Sequence, residues 1–338
     1  MKMNDVHSLK AVLSSPKKIV IIPHKNPDGD AIGSTLGLYH YLNKHNHDVT
    51  VIAPNNYPDF LKWIPGEETI VKFDTETAVA IQKIKAADFI FTLDFNSFNR
   101  VEEMKSLLQA VKATFVMIDH HQQPDDYATY VYSDVSMSST CQMVYHFLEQ
   151  LGETDTIDAN IATCLYTGIL TDTGGSFRFN ATTSTTHRVV ADLLDRGADG
   201  EKIQQQLYDT KSLSRLHLLG CALKNLTVLD EYHTSYITLS QEELKQYNFK
   251  KGDTEGFVNY ALSLKGIKLA VIFIENTSEK YIKISFRSKG SFSVNKFARS
   301  HFNGGGHDNA AGGRSDLSLK DTITRFENVL KDYKPQLA

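Results

Sequence analysis

A chain of 338 residues, 41% hydrophobic and 22% charged, has the composition of an ordinary folded protein and the length for two hydrophobic cores rather than one. Its formal net charge of −4 argues against a surface built to grip long duplex nucleic acid, yet leaves room for a short nucleotide in a locally cationic pocket. No apolar run has the length of a membrane span, the N-terminal MKMNDVHSLKAVLSSPKK lacks a signal-like hydrophobic stretch, and Cys141, Cys164 and Cys221 are too scattered for a paired metal motif, so a cytoplasmic protein with reduced, buried thiols is expected.

The segments KKIVII, VTVIAP, FIFTLDF and TFVMID are short, β-rich and apolar at nearly every position, as strands covered on both faces are. Between the first two, AIGSTLGLYHYLNK carries apolar residues at helical spacing behind Asp30, which reads as its N-cap. EEMKSLLQAVK and SSTCQMVYHFLEQLG are further predicted helices, and YTGILTD is read with the strand-like runs. The alternation predicts an α/β domain over residues 1–190, with a mostly parallel sheet flanked by helices. TSTTHRVVADLLDRG and RLHLLGCALKNL read as helices on either side of the polar, turn-broken ADGEKIQQQLYDTKSLS, so a helical linker is expected over 191–225. Residues 226–338 predict a smaller α+β domain with strands SYITL, LAVIFIE and YIKISFRS, helices SVNKFARSHF and LKDTITRFENVLKDY, and a glycine-rich loop, NGGGHDNAAGG.

Acids and histidines recur at the ends of the apolar runs of the first half. His24, Asp28 and Asp30 follow the first, Asp94 and Asp119-His120-His121 end two others, and Asp172 ends YTGILTD. At the carboxyl ends of parallel strands such residues meet on one edge of the sheet, where open α/β folds bind ligands. Pro27 is expected to hold Asn26 extended, and Gly29 to supply a backbone conformation closed to other residues, so that the loop turns its side chains inward. The helix N-terminus that follows favours a phosphate. Asp and His after a strand often serve as caps or loop hydrogen-bonders, which accounts for any one of these residues but less well for their recurrence. Mixed carboxylates and imidazoles suit Mn²⁺, Zn²⁺ or Fe²⁺, whereas an all-oxygen set suits Mg²⁺ or Ca²⁺. A pair of cations needs a shared ligand and more side chains than one loop supplies; Asp94, His120 and Asp172 complete the set, and such a pair serves in-line displacement at phosphorus.

In the second half, Arg287 ends the strand-like YIKISF run and has the planar fork that binds phosphate through two bonds, with a surface salt bridge as its plainer use. Gly304, Gly305 and Gly306 can expose backbone N–H groups to a phosphate or simply make a tight turn. His307 follows them without apolar periodicity. Arg178, in GSFRF, could reach a phosphate from the first domain or make a packing salt bridge.

The run His24-Lys-Asn-Pro-Asp28-Gly-Asp30-Ala-Ile-Gly-Ser, followed by Asp119-His120-His121, resembles the DHH phosphoesterase superfamily, which includes the exonuclease RecJ and the manganese-dependent family II inorganic pyrophosphatases. FRSKG at 286–290 and GGGHDNAAGG at 304–313 resemble its accompanying DHHA1 domain. The compact chain is most similar to the branch of bifunctional oligoribonucleases and 3′-phosphoadenosine 5′-phosphate phosphatases. The resemblance implies that His24, Asp28 and Asp94 hold one divalent cation and that Asp30, Asp94, His120 and Asp172 hold the other, with Asp94 bridging. It implies that His121 sits beside the scissile phosphate, that Asp119 orients the histidine pair, and that Arg287, Gly304, Gly305, Gly306 and His307 recognise substrate. The cations implied are two Mn²⁺, with Mg²⁺ or Co²⁺ as substitutes. The implied activity is hydrolysis of short single-stranded RNA to nucleoside 5′-monophosphates, and of 3′-phosphoadenosine 5′-phosphate to AMP and phosphate. No membrane or long-duplex partner is expected, and a homodimer is left open. The nearest alternative is a cyclic di-AMP or pApA phosphodiesterase; the alternative of another class is a non-catalytic nucleotide-binding regulatory module.

Overall fold

Residues 3–177, 181–276 and 280–337 are described by the computed structural model, and they divide into two units, Met1–Thr210 and Lys211–Ala338. In the first unit the strands are β1 (Lys18–Ile22), β2 (Asp48–Ala53), β3 (Val71–Lys72), β4 (Phe89–Leu93), β5 (Thr114–Asp119) and β6 (Tyr130–Ser133). Its helices are α1 (Met3–Val12), α2 (Gly29–Lys44), α3 (Thr77–Ala86), α4 (Lys105–Ala110), α5 (Thr140–Leu151), α6 (Ala159–Asp172), α7 (Ser184–Asp195) and α8 (Gly200–Tyr208). The strands form one parallel sheet in the order β3-β2-β1-β4-β5-β6.

The near-continuous apolar runs follow from burial on both faces. Ile19 and Ile21 of β1 enter a core with Leu36 of α2, Phe147 of α5 and Leu165 of α6. The alternate residues Val20 and Ile22 enter a second core with Ala80 and Ile84 of α3 and Leu108 of α4. A strand with both faces covered has no polar position to offer, so the alternation of a half-exposed strand is absent. The strand order reverses between β1 and β4, which lie side by side although β2 and β3 intervene in sequence. The carboxyl ends of those two strands open the crevice that doubly wound sheets use for ligands.

Helices α2 and α6 approach closely because glycine faces the contact on both. A Cβ on Gly33 would stand 2.5 Å from the Cys164 carbonyl oxygen, and one on Gly168 would stand 2.2 Å from Cys141 Sγ and 2.8 Å from Asp30 Oδ1. The small residues in AIGSTLG therefore set how near the acid of one helix lies to the next.

Several local expectations need correction. YTGILTD is the last half of helix α6, begun by Asp158, whose side chain accepts from Asn160 N and Ile161 N. The helix is buried on most of its surface, so its apolar residues carry no clear period, and a short excerpt of it looks like a covered strand. The N-cap of α2 is Asp28 rather than Asp30. Asn26 is left-handed, with φ 55°, rather than extended. Its N–H donates to Asn55 Oδ1 at 2.7 Å and its Oδ1 accepts from Asn55 Nδ2 at 3.0 Å, a reciprocal clamp that outweighs the preference imposed by Pro27. Gly29 is helical; it is needed because a Cβ there would meet Thr171 Oγ1 at 2.4 Å. EEMKSLLQAVK is helical only from Lys105 to Ala110, after a 3-10 stretch, Phe98–Met104, that kinks at Glu102.

The second unit contains α9 (Leu213–Lys224), β7 (Thr227–Leu229), β8 (Thr234–Leu239), α10 (Gln241–Gln246), α11 (Phe257–Leu262), β9 (Leu269–Asn276), β10 (Tyr281–Ser288), α12 (Val294–His301), β11 (Gly305–Gly306), β12 (Ala310–Ser315), α13 (Leu319–Leu330) and α14 (Lys334–Leu337). Its sheet is mixed, in the order β11-β12-β10-β9-β8-β7, with β8 and β9 parallel and the other neighbours antiparallel. Ala270, Ile272 and Ile274 of β9 pack with Leu218 of α9 and Phe257 of α11. Leu269, Val271 and Phe273 pack on the other face with Phe297 of α12 and Phe326 of α13. Within 191–225, α8 sends Ile203 and Leu207 into the first unit's core, whereas α9 sends Leu218 and Ala222 into a core of the second. Among the described residues, no helix is long and apolar enough to cross a membrane.

Candidate functional site

The first unit gathers its acids and histidines from the ends of β1, β4, β5 and α6. His24 lies just past β1. Asp28 caps α2, its Oδ1 accepting from Asp30 N and Ala31 N at 3.1 Å, which places Asp30 in the first helical turn. Asp94 directly follows β4 in the left-handed region, φ 62°, with its N–H donating to the Ile118 carbonyl at 3.2 Å. That turn is strained for most side chains, and aspartate tolerates it better than most. Asp119 is the last residue of β5, so His120 and His121 emerge where the strand stops, and Asp172 is the last residue of α6.

Asp94 divides its carboxylate between two groups. Its Oδ2 lies 3.4 Å from His24 Nε2, which is 3.9 Å from Asp28 Oδ2. Its Oδ1 lies 3.5 Å from His120 Nε2, which in turn is 3.5 Å from Asp172 Oδ2 and 3.7 Å from Asp30 Oδ2. Most of these separations are at or beyond the limit of a good hydrogen bond. They are near the spacing of neighbouring donors around one ion, which for bonds of roughly 2.0–2.2 Å is about 3.0–3.5 Å. Both imidazoles have their other nitrogen engaged: His24 Nδ1 lies 2.8 Å from the Lys25 carbonyl and His120 Nδ1 lies 3.1 Å from the Met137 carbonyl. A carbonyl can only accept, so Nδ1 carries a proton and Nε2 is left facing the carboxylates. Metal-ligating histidines are commonly oriented in this way. The donor set fits divalent cations.

The electrostatics agree with that fit. Burial, reinforced by Asp94 and Asp172, pushes the Asp30 carboxyl well above the usual range. Burial acts upward on Asp94 too, but His120 and His24 outweigh it and hold this carboxyl well below its ordinary value. Burial acts downward on His120, and the carboxylates of Asp94, Asp172 and Asp30 reverse it, raising the imidazole well above its usual value. The cluster thus draws in positive charge. A divalent cation supplies that charge and displaces the proton, inverting the local preferences.

His121 differs from its neighbour. Burial, with Arg100 acting in the same sense, pushes its imidazole well below the ordinary value. Its Nδ1 lies 2.7 Å from Asp119 Oδ1, and its backbone N–H donates to Asp119 Oδ2 at 2.8 Å. Asp119 is fully buried, its carboxyl pushed up to about 6 by burial and by the charge of Asp94. A neutral His121 therefore carries its proton on Nδ1 and the lone pair on Nε2. Asp119 holds His121; the carbonyl of Met137, not Asp119, receives Nδ1 of His120.

Sequence reasoning missed the start of α5. Thr140 N donates to Asp30 Oδ2 at 2.6 Å, Cys141 N to Asp30 Oδ1 at 2.8 Å, and Thr140 Oγ1 to Asp94 Oδ1 at 2.9 Å. The signal available was Ser138-Ser139-Thr140, a run of capping residues ahead of an apolar helix, soon after the histidine pair.

In the second unit, Arg287 on β10 stands opposite Ala310 on β12, and its Nη1 donates to the Phe286 carbonyl at 2.9 Å. Gly305 and Gly306 form β11, paired to Gly312 and Ala311. Gly304 lies so close to β12 that a Cβ there would meet the Gly312 carbonyl oxygen at 2.0 Å. His307 opens the hairpin turn, its N–H donating to the Ala310 carbonyl at 2.7 Å. Ala310 of β12 thus lies between His307 and Arg287 in the sheet order. Gly306 N–H donates to Asn295 Oδ1 at 3.1 Å. Arg178 lies outside the described residues.

The family model for the DHH family, N-terminal domain, matches residues 18–169, and that for the DHHA1 domain matches residues 230–334. The chain is 31% identical to the bifunctional oligoribonuclease and PAP phosphatase NrnA of Thermus thermophilus, over 99% of this chain and 94% of that protein. It is 27% identical to the cyclic-di-AMP phosphodiesterase GdpP of Bacillus subtilis, over 97% of this chain but 49% of that protein. A solved structure of an exopolyphosphatase-related protein from Bacteroides fragilis matches with a TM-score of 0.94 and 40% identity, covering 99% of this chain and 97% of that one.

Proposed function

We propose that this chain, which belongs to the DHH/DHHA1 phosphoesterase family, hydrolyses short oligoribonucleotides to nucleoside 5′-monophosphates and 3′-phosphoadenosine 5′-phosphate to AMP and phosphate. The observation that carries this reading is the division of Asp94: one carboxylate oxygen faces His24, the other faces His120. In this reading His24, Asp28 and Asp94 hold one divalent cation, and Asp30, Asp94, His120 and Asp172 hold the other. Bound there, the cations supply Lewis acidity to phosphoryl oxygens and bring the pKa of water toward neutrality. Manganese is proposed because the donors mix imidazole nitrogen with carboxylate oxygen.

The side chains then divide the remaining work. His121, neutral and with its proton held on Nδ1 by Asp119, keeps an Nε2 lone pair that can accept a proton from water attacking phosphorus. Water attacks in line, its oxygen bonds to phosphorus, and the bond to the leaving ester oxygen breaks. The leaving oxygen takes up a proton from solvent and His121 later releases its proton to solvent, so the step balances as hydrolysis by one water with no covalent enzyme intermediate. Arg287, Gly304, Gly305, Gly306 and His307 are proposed to bind the nucleotide, the arginine through paired bonds to phosphate. A cytoplasmic location is part of the proposal.

The likeness to a cyclic-di-AMP phosphodiesterase gives the second reading. A side-by-side assay separates the two: labelled RNA dimers through pentamers, 3′-phosphoadenosine 5′-phosphate, pApA and cyclic di-AMP, each with Mn²⁺ and with EDTA. The expected result is Mn²⁺-dependent release of mononucleotides from RNA and of phosphate from the adenosine bisphosphate, with higher kcat/KM than for cyclic di-AMP. A reversed order favours the second reading. No turnover with any divalent metal favours a binding module.

A further inference from the structure

We propose that Thr140 is a positioning residue for the carboxylate shared by the two cation groups, an inference that rests on the two-cation reading. Thr140 is the first residue of α5 and is fully buried, behind the Ser139 cap. Its hydroxyl donates to Asp94 Oδ1 at 2.9 Å and its backbone N–H donates to Asp30 Oδ2 at 2.6 Å. Each of those oxygens also faces His120 Nε2, at 3.5 Å for Asp94 and 3.7 Å for Asp30. One residue therefore holds both carboxylates that flank a single imidazole nitrogen, one through its main chain and the other through its side chain.

The two contacts differ in what can be taken away. Asp30 keeps a second donor in Cys141 N–H, at 2.8 Å, and backbone donors survive side-chain substitution. At Asp94 the hydroxyl is the nearest side-chain donor, 2.9 Å away against 3.4 Å and 3.5 Å for the nitrogens of His24 and His120. Asp94 sits on a left-handed backbone, φ 62°, just beyond the last residue of β4, so the direction of its carboxylate comes from what surrounds it rather than from the strand. The hydroxyl bond at Oδ1 selects the rotation about the last side-chain bond that also turns Oδ2 toward His24 Nε2, at 3.4 Å. Valine at this position has nearly the same shape but a methyl group in place of the donor. It leaves a buried carboxylate oxygen without that hydrogen bond and free to turn away from one group or the other. Serine keeps the donor and loses only a methyl group.

The test uses the full chain, stripped of metal, as the parent and as the Thr140→Val, Thr140→Ala and Thr140→Ser variants. Mn²⁺ is titrated into each by calorimetry and by electron paramagnetic resonance, and turnover of a labelled RNA dimer is measured at saturating Mn²⁺. Circular dichroism checks folding; if Thr140→Val does not fold, Thr140→Ala decides. Thr140→Val and Thr140→Ala are expected to weaken Mn²⁺ binding about 10–100-fold and to lower kcat, with KM for RNA within about twofold of the parent. Thr140→Ser is expected to recover most of both. A loss of packing alone predicts the opposite for the rescue, because valine preserves shape better than serine. Mn²⁺ titrations of Thr140→Val or Thr140→Ala that superimpose on the parent overturn the proposal. A parent that binds no Mn²⁺ overturns the two-cation reading and this inference with it. A parent that binds Mn²⁺ but cleaves no substrate overturns the proposed function, while the titrations still decide the role of Thr140.

Discussion

Side-chain chemistry separates two adjacent histidines that look equivalent in the sequence. His120 gives its Nδ1 to a main-chain carbonyl and turns Nε2 to three acids, whereas His121 gives Nδ1 to Asp119. The first arrangement suits a ligand and the second suits a base. Asp119 is the residue that makes the difference, since both of its oxygens accept from His121. Asp119→Asn tests this at the least structural cost. An asparagine has one oxygen and one amide for those two N–H groups. If the oxygen takes Nδ1–H, the amide faces the backbone N–H donor; if the amide faces Nδ1, the proton moves to Nε2 and the base is lost. The expected outcome is a fall in kcat of about 10–100-fold or more, with the Mn²⁺ titration within about twofold of the parent. Unchanged kcat, or loss of Mn²⁺ binding with it, would remove His121 from the proposed role.

Between elements, the decisive contact is the approach of α2, α5 and α6 at Gly168. Adding one methyl group there places a Cβ 2.2 Å from Cys141 Sγ and 2.8 Å from Asp30 Oδ1. Both of those neighbours lie at or beside donors to the acid cluster, so overpacking at this point is transmitted to the site. Gly168→Ala is expected to cost about 1–3 kcal/mol of stability and to weaken Mn²⁺ binding at least about tenfold. A destabilised variant with unaltered Mn²⁺ affinity would show that this helix contact serves packing alone. Much of this arrangement was legible in the sequence, and the rest was hidden for identifiable reasons. The runs containing Ile19–Ile22, Phe89–Leu93 and Thr114–Asp119 announce doubly covered strands because successive residues, which point to opposite faces, are buried along them. Residues that follow such strands must come to one edge, which is why His24, Asp94 and His120 could be grouped from spacing. Asp172 was assigned to the cluster, but on the wrong element, since a helix buried over most of its surface has the same composition as a covered strand. The left-handed turn at Asp94 leaves no local trace, and the run Ser138-Ser139-Thr140 marks a helix start without showing that it meets Asp94, because both depend on partners distant in sequence.

Across the whole molecule, all the proposed cation donors belong to the unit Met1–Thr210, while Lys211–Ala338 has its own two cores. A ligand that binds only the folded form of one unit stabilises that unit by mass action. At free Mn²⁺ of about one hundred times Kd the gain is about 2.7 kcal/mol per site. For a unit of this size each kcal/mol moves Tm by roughly 2–4 °C, so one occupied site is worth about 5–10 °C. A reporter for the other unit comes from Gly220, inside helix α9, where an added Cβ meets nothing within 4 Å. Gly220→Ala removes a flexible residue from a helix interior at no steric cost and is expected to add about 0.5–1 kcal/mol. Scanning calorimetry should then resolve separate responses. Mn²⁺ raises the endotherm of the first unit and EDTA returns it, while Gly220→Ala raises only the endotherm of the second. The direction of the Mn²⁺ effect is itself informative, because acids buried together without a counter-charge oppose folding and a cation among them reverses the sign. A single endotherm displaced equally by the metal and by the alanine would mean that the two sets of cores melt as one, and an Mn²⁺ response confined to the second unit would remove the cations from the cluster around Asp94.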